Sequence, residues 1–322
     1  MTEITKIQRP ITKCFLVIAF LVFGFFNPRH TVLAATTTKL QVNQPHRLAQ
    51  AADFELKEKG FASALVIDVK TNKILFSYEP DKQWTAASLT KLVGALVYLD
   101  KKPAWNSVVA MSKKDEVGGG RLRVAVGAKL TVRDLLYSSI VGSANNAATA
   151  MARLSGLGMT NFVAAMNKKV KAIGCTQTKF FDASGMDNRN QTSVQDMAKI
   201  AKAAFNVPEI RRAASTARYT FKVLNASPKN NLHTIKNTNT LLVDEDNGLY
   251  VTGGKTGYLD ESKNNLIVRL RPSQGERSKE ILIVVFGAET RQSLFDEAAR
   301  LARWSWSAYD WSTPTVAKAY GN

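Results

Sequence analysis

Cysteine and histidine are scarce in this 322-residue chain, which has 2 cysteines and 3 histidines. Two cysteines exclude a disulfide-rich scaffold and a cysteine-ligated zinc ribbon. His30, His46 and His233 stand well apart, mostly near the start. That spacing argues against a multi-histidine metal site. Acidic residues are also few: 26 Asp and Glu face 44 Lys and Arg, a net charge of +18. Such a balance favours anionic partners such as nucleic acid, anionic lipid or an acidic polymer, although it also serves plain solubility. No helix-turn-helix or aromatic-basic platform is present, which excludes a nucleic-acid role. There is no Gly-x-x-x-x-Gly-Lys-Ser/Thr, so a phosphate loop of that kind is excluded. There is no internal repeat and no long low-complexity linker. Apolar residues make up 45% and charged residues 22%, ample material for a core.

The longest apolar run is residues 14–26. As a helix it reaches about 20 Å, short of the roughly 30 Å hydrocarbon core. Lys6, Arg9 and Lys13 precede it, Asn27-Pro28 ends it, and Val32-Leu33-Ala34 offers small residues for cleavage after Ala34. Residues 1–34 therefore read as a secretory signal peptide, with an uncleaved anchor as the alternative. Export places the protein in the periplasm or the extracellular cell-wall space. Cleavage would leave the chain strongly basic and Cys175 as its one cysteine, which reads as a small buried core residue. Residues 35–54 are a polar, loose leader, 55–310 the folded domain, and 311–322 a C-terminal tail.

Residues 61–68 and 74–78 have the composition of two strands joined by the turn Thr71-Asn72-Lys73. Leu89, Leu92, Val93, Leu96 and Leu99 then recur at helical spacing, which puts Ser88 at or near a helix start. Thr131 is positioned to cap a helix beginning at Val132. Residues 146–154, 161–173 and 193–205 are further helices. Residues 218–223, 266–270 and 281–286 are strand-like, and a last helix spans about 291–308 with Leu294, Phe295, Ala298, Leu301 and Trp304. Strands open and close the domain and helices fill its middle. The fold class is α/β: an antiparallel sheet flanked by helices, with an inserted, mainly helical lobe, because the terminal strands need each other to make a sheet. Trp304, Trp306, Tyr309 and Trp311 suit packing beneath that sheet, with peripheral membrane contact as the alternative.

Three short segments carry chemistry. Ser88-Leu89-Thr90-Lys91 is the single Ser-x-x-Lys of the chain. Positions i and i+3 share a helix face, so Ser88 and Lys91 can meet. A serine hydroxyl is a weak nucleophile until a base takes its proton. No histidine is placed to do so, but a lysine can once burial or a nearby cation lowers its pKa. Ser143-Ala144-Asn145 stands just before a helix, where it can serve a substrate or simply cap the helix. Ser262-Lys263-Asn264 fits the same pattern. Gly253-Gly254-Lys255-Thr256-Gly257-Tyr258 lets a backbone approach a ligand closely. Its Lys255 can bind a carboxylate or hold Lys91 neutral by like-charge repulsion; a glycine-rich turn or strand start is the structural reading.

In this order, Ser-x-x-Lys, Ser-x-Asn and Lys-Thr-Gly resemble the motif set of serine penicillin-binding proteins and class A β-lactamases. The resemblance is strongest to the low-molecular-mass D-alanyl-D-alanine carboxypeptidases and endopeptidases, and covers about residues 55–308. Residues 84–92, 130–137 and 162–167 add to it, as do Thr178-Lys179-Phe180 and Ser184-Gly185-Met186. The resemblance implies a β-lactamase/D,D-peptidase-like fold and an acyl-enzyme on Ser88, with Lys91 as general base. It implies that Ser143 and Asn145 position substrate and pass protons. Lys255 and Thr256 then receive the carboxylate end of a peptidoglycan stem peptide, Gly257 lets the peptide lie against the strand, and the N–H groups of Ser88 and Tyr258 form the oxyanion hole. No metal or organic cofactor is implied. β-Lactams are expected as covalent inhibitors, and an anionic wall polymer or membrane surface as a peripheral contact.

Several positions depart from the family pattern. Ser143-Ala144-Asn145 replaces the frequent Ser-Gly-Asn. Asp187 to Asn190 stand where relatives often carry histidine. Leu294 takes the place of an arginine before the last-helix phenylalanine. Arg291, one turn earlier, is either a carboxylate contact or a solvated helix arginine. The Glu-x-x-x-Asn loop that deacylates class A β-lactamases is missing between the second and third motifs, so β-lactams should leave slowly. About 65 residues follow Gly257, too few for the extra β-domain and membrane-binding tail of many carboxypeptidases. Carboxypeptidase is the first expectation, endopeptidase the second, and a catalytically silent wall-binding protein of the same fold the third.

Overall fold

The computed structural model describes residues 44–312 apart from Lys59. The expected signal peptide, residues 35–43 of the leader and residues 313–322 of the tail lie outside the described residues. No helix among the described residues is long and apolar enough to cross a membrane.

The seven strands that matter here are β1 (Ser63–Asp68), β2 (Ile74–Tyr78), β3 (Arg218–Lys222), β4 (Leu232–Lys236), β5 (Tyr250–Leu259), β6 (Lys263–Arg271) and β7 (Ile281–Ala288). The helices are α1 (Thr90–Leu99), α2 (Val132–Ile140), α3 (Asn145–Leu154), α4 (Met159–Ile173), α5 (Val194–Phe205), α6 (Pro208–Ala214), α7 (Thr240–Val243) and α8 (Arg291–Ala308). Five strands form one antiparallel sheet in the order β5-β6-β7-β1-β2. The first hairpin thus closes against the last strands, as the strand pattern predicted.

Side chains alternate across a strand, and here both faces are covered. Ala64, Val66, Leu266, Val268, Ile283 and Val285 pack with Leu294, Phe295, Ala298 and Leu301 of α8. Leu65, Ile67, Ile267, Leu282, Val284 and Phe286 pack into the helical lobe instead. Burial on both faces explains why β7 reads as an unbroken apolar run. Inside the lobe α1 is buried from Thr90 to Tyr98. It is the lobe's central helix rather than an amphipathic surface helix, and that burial encloses Lys91.

The cap expected at Thr131 is present. Its hydroxyl accepts from Asp134 N, and the Asp134 carboxylate accepts from Thr131 N. Thr131→Ala is expected to lower stability by about 1 kcal/mol, read as a shifted urea midpoint at unchanged slope.

Of the strands and helices named above, α6, α7 and β4 went unread in the sequence. The β3–β4 hairpin stacks Tyr219, Phe221 and His233, with ring centroids 6.2 and 5.4 Å apart, and Tyr137 lies 4.3 Å from Tyr219. His233 is therefore a stacking residue. The described part of the leader is held, not loose. His46 and Arg47 pair with Asp310 and Tyr309, and Phe54 joins Phe76 and Trp304 edge-on. Backbone pairing and a half-buried ring outweigh the polar composition of that stretch. The late aromatics pack as expected: Trp304 Nε1 donates to Ala52 O, Trp306 Nε1 to Lys279 O and Trp311 Nε1 to Asp68 Oδ1. Cys175 is buried, and burial, helped by the charge of Asp196, pushes its thiol up to about 12. It is an inert core residue.

Candidate active site

Ser88 sits in a 3₁₀ turn, Ala87–Leu89, that leads directly into α1. Ala87 has φ +47° and Ser143 has φ +57°. Left-handed backbone at a residue with a Cβ costs about 1–3 kcal/mol and persists only where the surroundings hold it. Both serine corners are held in this way, Ala87 fully buried beneath β5 and Ser143 just ahead of α3.

Lys91, one turn on from Ser88, is fully buried. Its Nζ lies 2.7 Å from Ser88 Oγ, 2.6 Å from Asn145 Oδ1, and within hydrogen-bond reach of Ser184 O. A neutral amine has two N–H groups and one lone pair. Asn145 Oδ1 and the Ser184 carbonyl can only accept, so they take the two N–H groups. The lone pair is left facing Ser88 Oγ, the geometry a general base requires. Burial pushes Lys91 down to about 7, opposed by the negative charge of Asp182.

Lys255 lies on β5 and is also buried. Its Nζ donates to Ser143 Oγ at 2.6 Å and to Thr256 O at 2.8 Å. Burial first, and the charge of Lys91 second, hold its pKa well below the ordinary value. Burial is the first cause for both lysines, and the repulsion between their charges belongs to the pair.

A cavity of about 410 Å³ is lined by Ser88, Ser143 and Asn145 on one side and Thr256, Gly257 and Tyr258 on the other. Six of the eight residues singled out in the sequence therefore face one space, and Lys91 and Lys255 support it from within. A larger cavity of about 1290 Å³, between residues 83–85 and 167–191, contains none of the eight. Volume does not locate this chemistry; convergent polar groups with shifted pKa do. Gly257 brings β5 against the Ser88 turn: a Cβ there would stand 3.1 Å from Ala86 O and 3.3 Å from Ser88 N. The motif is a strand, not a turn.

Sequence reading missed the groups that position these side chains. Asn145 N donates to Gly120 O and Asn145 Nδ2 to Gly118 O, so the triple-glycine loop borders the cavity. Asp182 accepts from Ser184 N and Oγ, Gly185 N, Met186 N and Asn190 Nδ2. It folds the turn whose Ser184 carbonyl meets Lys91. Asp-x-Ser-Gly is legible as a tight turn, but not the place where that turn docks. Thr238 Oγ1 accepts from Thr256 Oγ1 at 2.6 Å. Arg291 reaches Thr238 O, lies over the Phe295 ring at 5.5 Å and lines the same cavity. A hydroxyl beside a buried neutral amine, opening on a pocket edged by hydroxyls and one guanidinium, can attack an acyl group whose neighbour bears a carboxylate. Among the described residues no group of three or more His, Cys, Asp or Glu is placed to hold a metal.

Known proteins resemble this chain in sequence and in fold. The profile of a peptidase family described as D-alanyl-D-alanine carboxypeptidase matches residues 50–290. The D-alanyl-D-alanine endopeptidase of Pseudomonas aeruginosa is 32% identical over 266 residues, covering 82% of this chain and 83% of its own. That of Escherichia coli is 27% identical over 278 residues, covering 85% and 86%. Among solved structures, a D-alanyl-D-alanine carboxypeptidase from Mycobacterium tuberculosis superposes with a TM-score of 0.70 at 24% identity, covering 84% of this chain and 97% of that one. At that identity the superposition speaks to the fold alone.

Proposed function

Since this chain belongs to the D-alanyl-D-alanine carboxypeptidase family of serine peptidases, we propose that it is an active-site serine D,D-peptidase acting on peptidoglycan stem peptides. The observation that carries the reading is Lys91 Nζ at 2.7 Å from Ser88 Oγ with its other two partners both pure acceptors. Ser88 Oγ attacks the carbonyl carbon of the penultimate D-Ala, and its proton passes to Lys91. The N–H groups of Ser88 and Tyr258 receive the developing oxyanion. The C–N bond breaks, and the proton that Lys91 took from Ser88 passes to the leaving amine by way of the Ser143 hydroxyl, while Asn145 Oδ1 holds Lys91 in place. Water then hydrolyses the ester, with Lys91 again taking the proton, and Ser88 is restored. Thr256 binds at the carboxylate end with buried Lys255 behind it, held to Ser143 Oγ, Gly257 lets the peptide lie along β5, and Arg291 is a further carboxylate contact.

Two reactions share this machinery. The two relatives described above, each covered over more than four fifths of its own length, are named endopeptidases, which supports cleavage of D-Ala-containing cross-links as the preferred reaction. The family description supports release of terminal D-Ala as the second. This order reverses the one expected from sequence. The site lies in the cell-wall space, reached through the signal-like segment at residues 1–34, and β-lactams acylate Ser88 and leave slowly.

Labelling the purified chain with fluorescent penicillin tests the reading. A stable covalent band is expected, absent in Ser88→Ala. Absence of the band from folded wild-type protein would sink it in favour of a silent wall-binding protein. Cross-linked muropeptide dimers against pentapeptide monomers then separate the two reactions.

A further inference from the structure

Away from the catalytic cavity, a second concavity of about 620 Å³ lies between α6 and the ends of β5 and β6. Arg211, Arg212, Arg269, Arg271 and Arg277 line it, and Glu280 is the one carboxylate among its lining residues. Arg269 and Arg271 alternate with the apolar residues of β6 and so share one face. Each is only 14% exposed at its side chain. Both turn to Glu280: Arg269 Nη2 donates to its Oε2, and Arg271 Nε stands 3.6 Å from its Oε1. Thr252 Oγ1 already occupies Oε1 at 2.6 Å. The Nε–H groups of Arg269 and Arg271 are buried without a hydrogen-bond partner. Arg211, Arg212 and Arg277 are exposed and have no ion-pair partner among the described residues.

Five guanidinium groups thus line one cavity with a single carboxylate, which Arg269 and Thr252 already occupy. Like charges gathered in a concave, partly dry site repel one another and focus a positive field on the space between them. Buried donors without acceptors add to that cost. An anion relieves both, and guanidinium forks match phosphate oxygens two at a time. We propose that this cavity is a phosphate-binding site, at the opposite end of β5 from the catalytic residues. It does not depend on the Ser88 chemistry. The phosphate can be a free one or the headgroup of a phospholipid.

Two arms distinguish these sources: calorimetric titration of the full chain with inorganic phosphate, and co-sedimentation with vesicles of phosphatidylglycerol in phosphatidylcholine against phosphatidylcholine alone. The triple variant R211A/R212A/R277A removes only exposed side chains. The control K113A/K114A/R123A removes the same charge at exposed residues that do not line this cavity. Saturable binding is expected in at least one arm, weakened tenfold or more in the first variant and less than twofold in the control. Calorimetric binding alone identifies a free phosphate; binding that needs the anionic vesicle identifies a headgroup. Equal weakening in both variants would reduce the effect to net charge and overturn the proposal, as would no saturable binding in either arm.

Discussion

Lys91→Met is expected to slow acylation of Ser88 by a β-lactam about 10³-fold, the usual range for loss of a positioned general base. Methionine fills the same buried space without a charge or a lone pair for the hydroxyl proton. In the wild type, the base works only when neutral. With Lys91 held at about 7, acylation should fall about tenfold for each pH unit below that value. In Lys91→Met the residual rate should lose this acid limb. Stopped-flow acylation across pH 5–9 reads both effects. A variant that keeps a tenth of the wild-type rate would show that another group takes the proton.

The same lysine gives a stability signature. Its folded-state value of about 7 lies below the ordinary 10.5. Between those values the unfolded chain binds a proton that the folded chain does not. Stability conferred by this site therefore rises with pH across the window, by about 1.4 kcal/mol per unit, and its loss is complete below the lower value. Lys91→Met lacks that slope. The variant should gain on the wild type at pH 6 and lose ground towards pH 10, where Asn145 Oδ1 and Ser184 O remain as buried acceptors without a donor. Urea denaturation at several pH values measures the difference.

Gly185→Ala is the second large effect. Gly185 has φ +88°, and a Cβ there would stand 2.9 Å from Ser88 N and closer still to the Ala87 carbonyl. Both are backbone atoms of the turn that presents the serine, so no side chain can swing aside. Gly174 is the natural control: its φ is +87°, but nothing lies within 4 Å of its would-be Cβ. Gly174→Ala should cost about 1 kcal/mol, the left-handed penalty alone. Gly185→Ala should cost roughly 3 kcal/mol or more and lower acylation at least a hundredfold, because relief requires Ala87 and Ser88 to move. Equal thermal stability of the two variants would mean that the docked turn yields without disturbing the serine.

The sheet hairpin, the long helices and the capping threonine were legible because each is written in a local period or a local cap. The short helices α6 and α7 and the exposed strand β4 were not. Seven or fewer residues hold too few periods to read, and β4 is decided by its stacking partner β3. The order of residues along the chain is enough to single out Ser88, Lys91, Ser143, Asn145 and Lys255 to Tyr258, and with them the class of chemistry. The i, i+3 spacing was enough to join Ser88 to Lys91, because one helix turn sets that distance. Folding alone sets how far burial lowers Lys91, that Lys255 meets Ser143 rather than lining the cavity, and that Asp182 brings the Ser184 carbonyl to Lys91. Those facts depend on desolvation and on contacts between residues distant in the chain, which exist only once helix α1 is enclosed and β5 is laid against the serine turn.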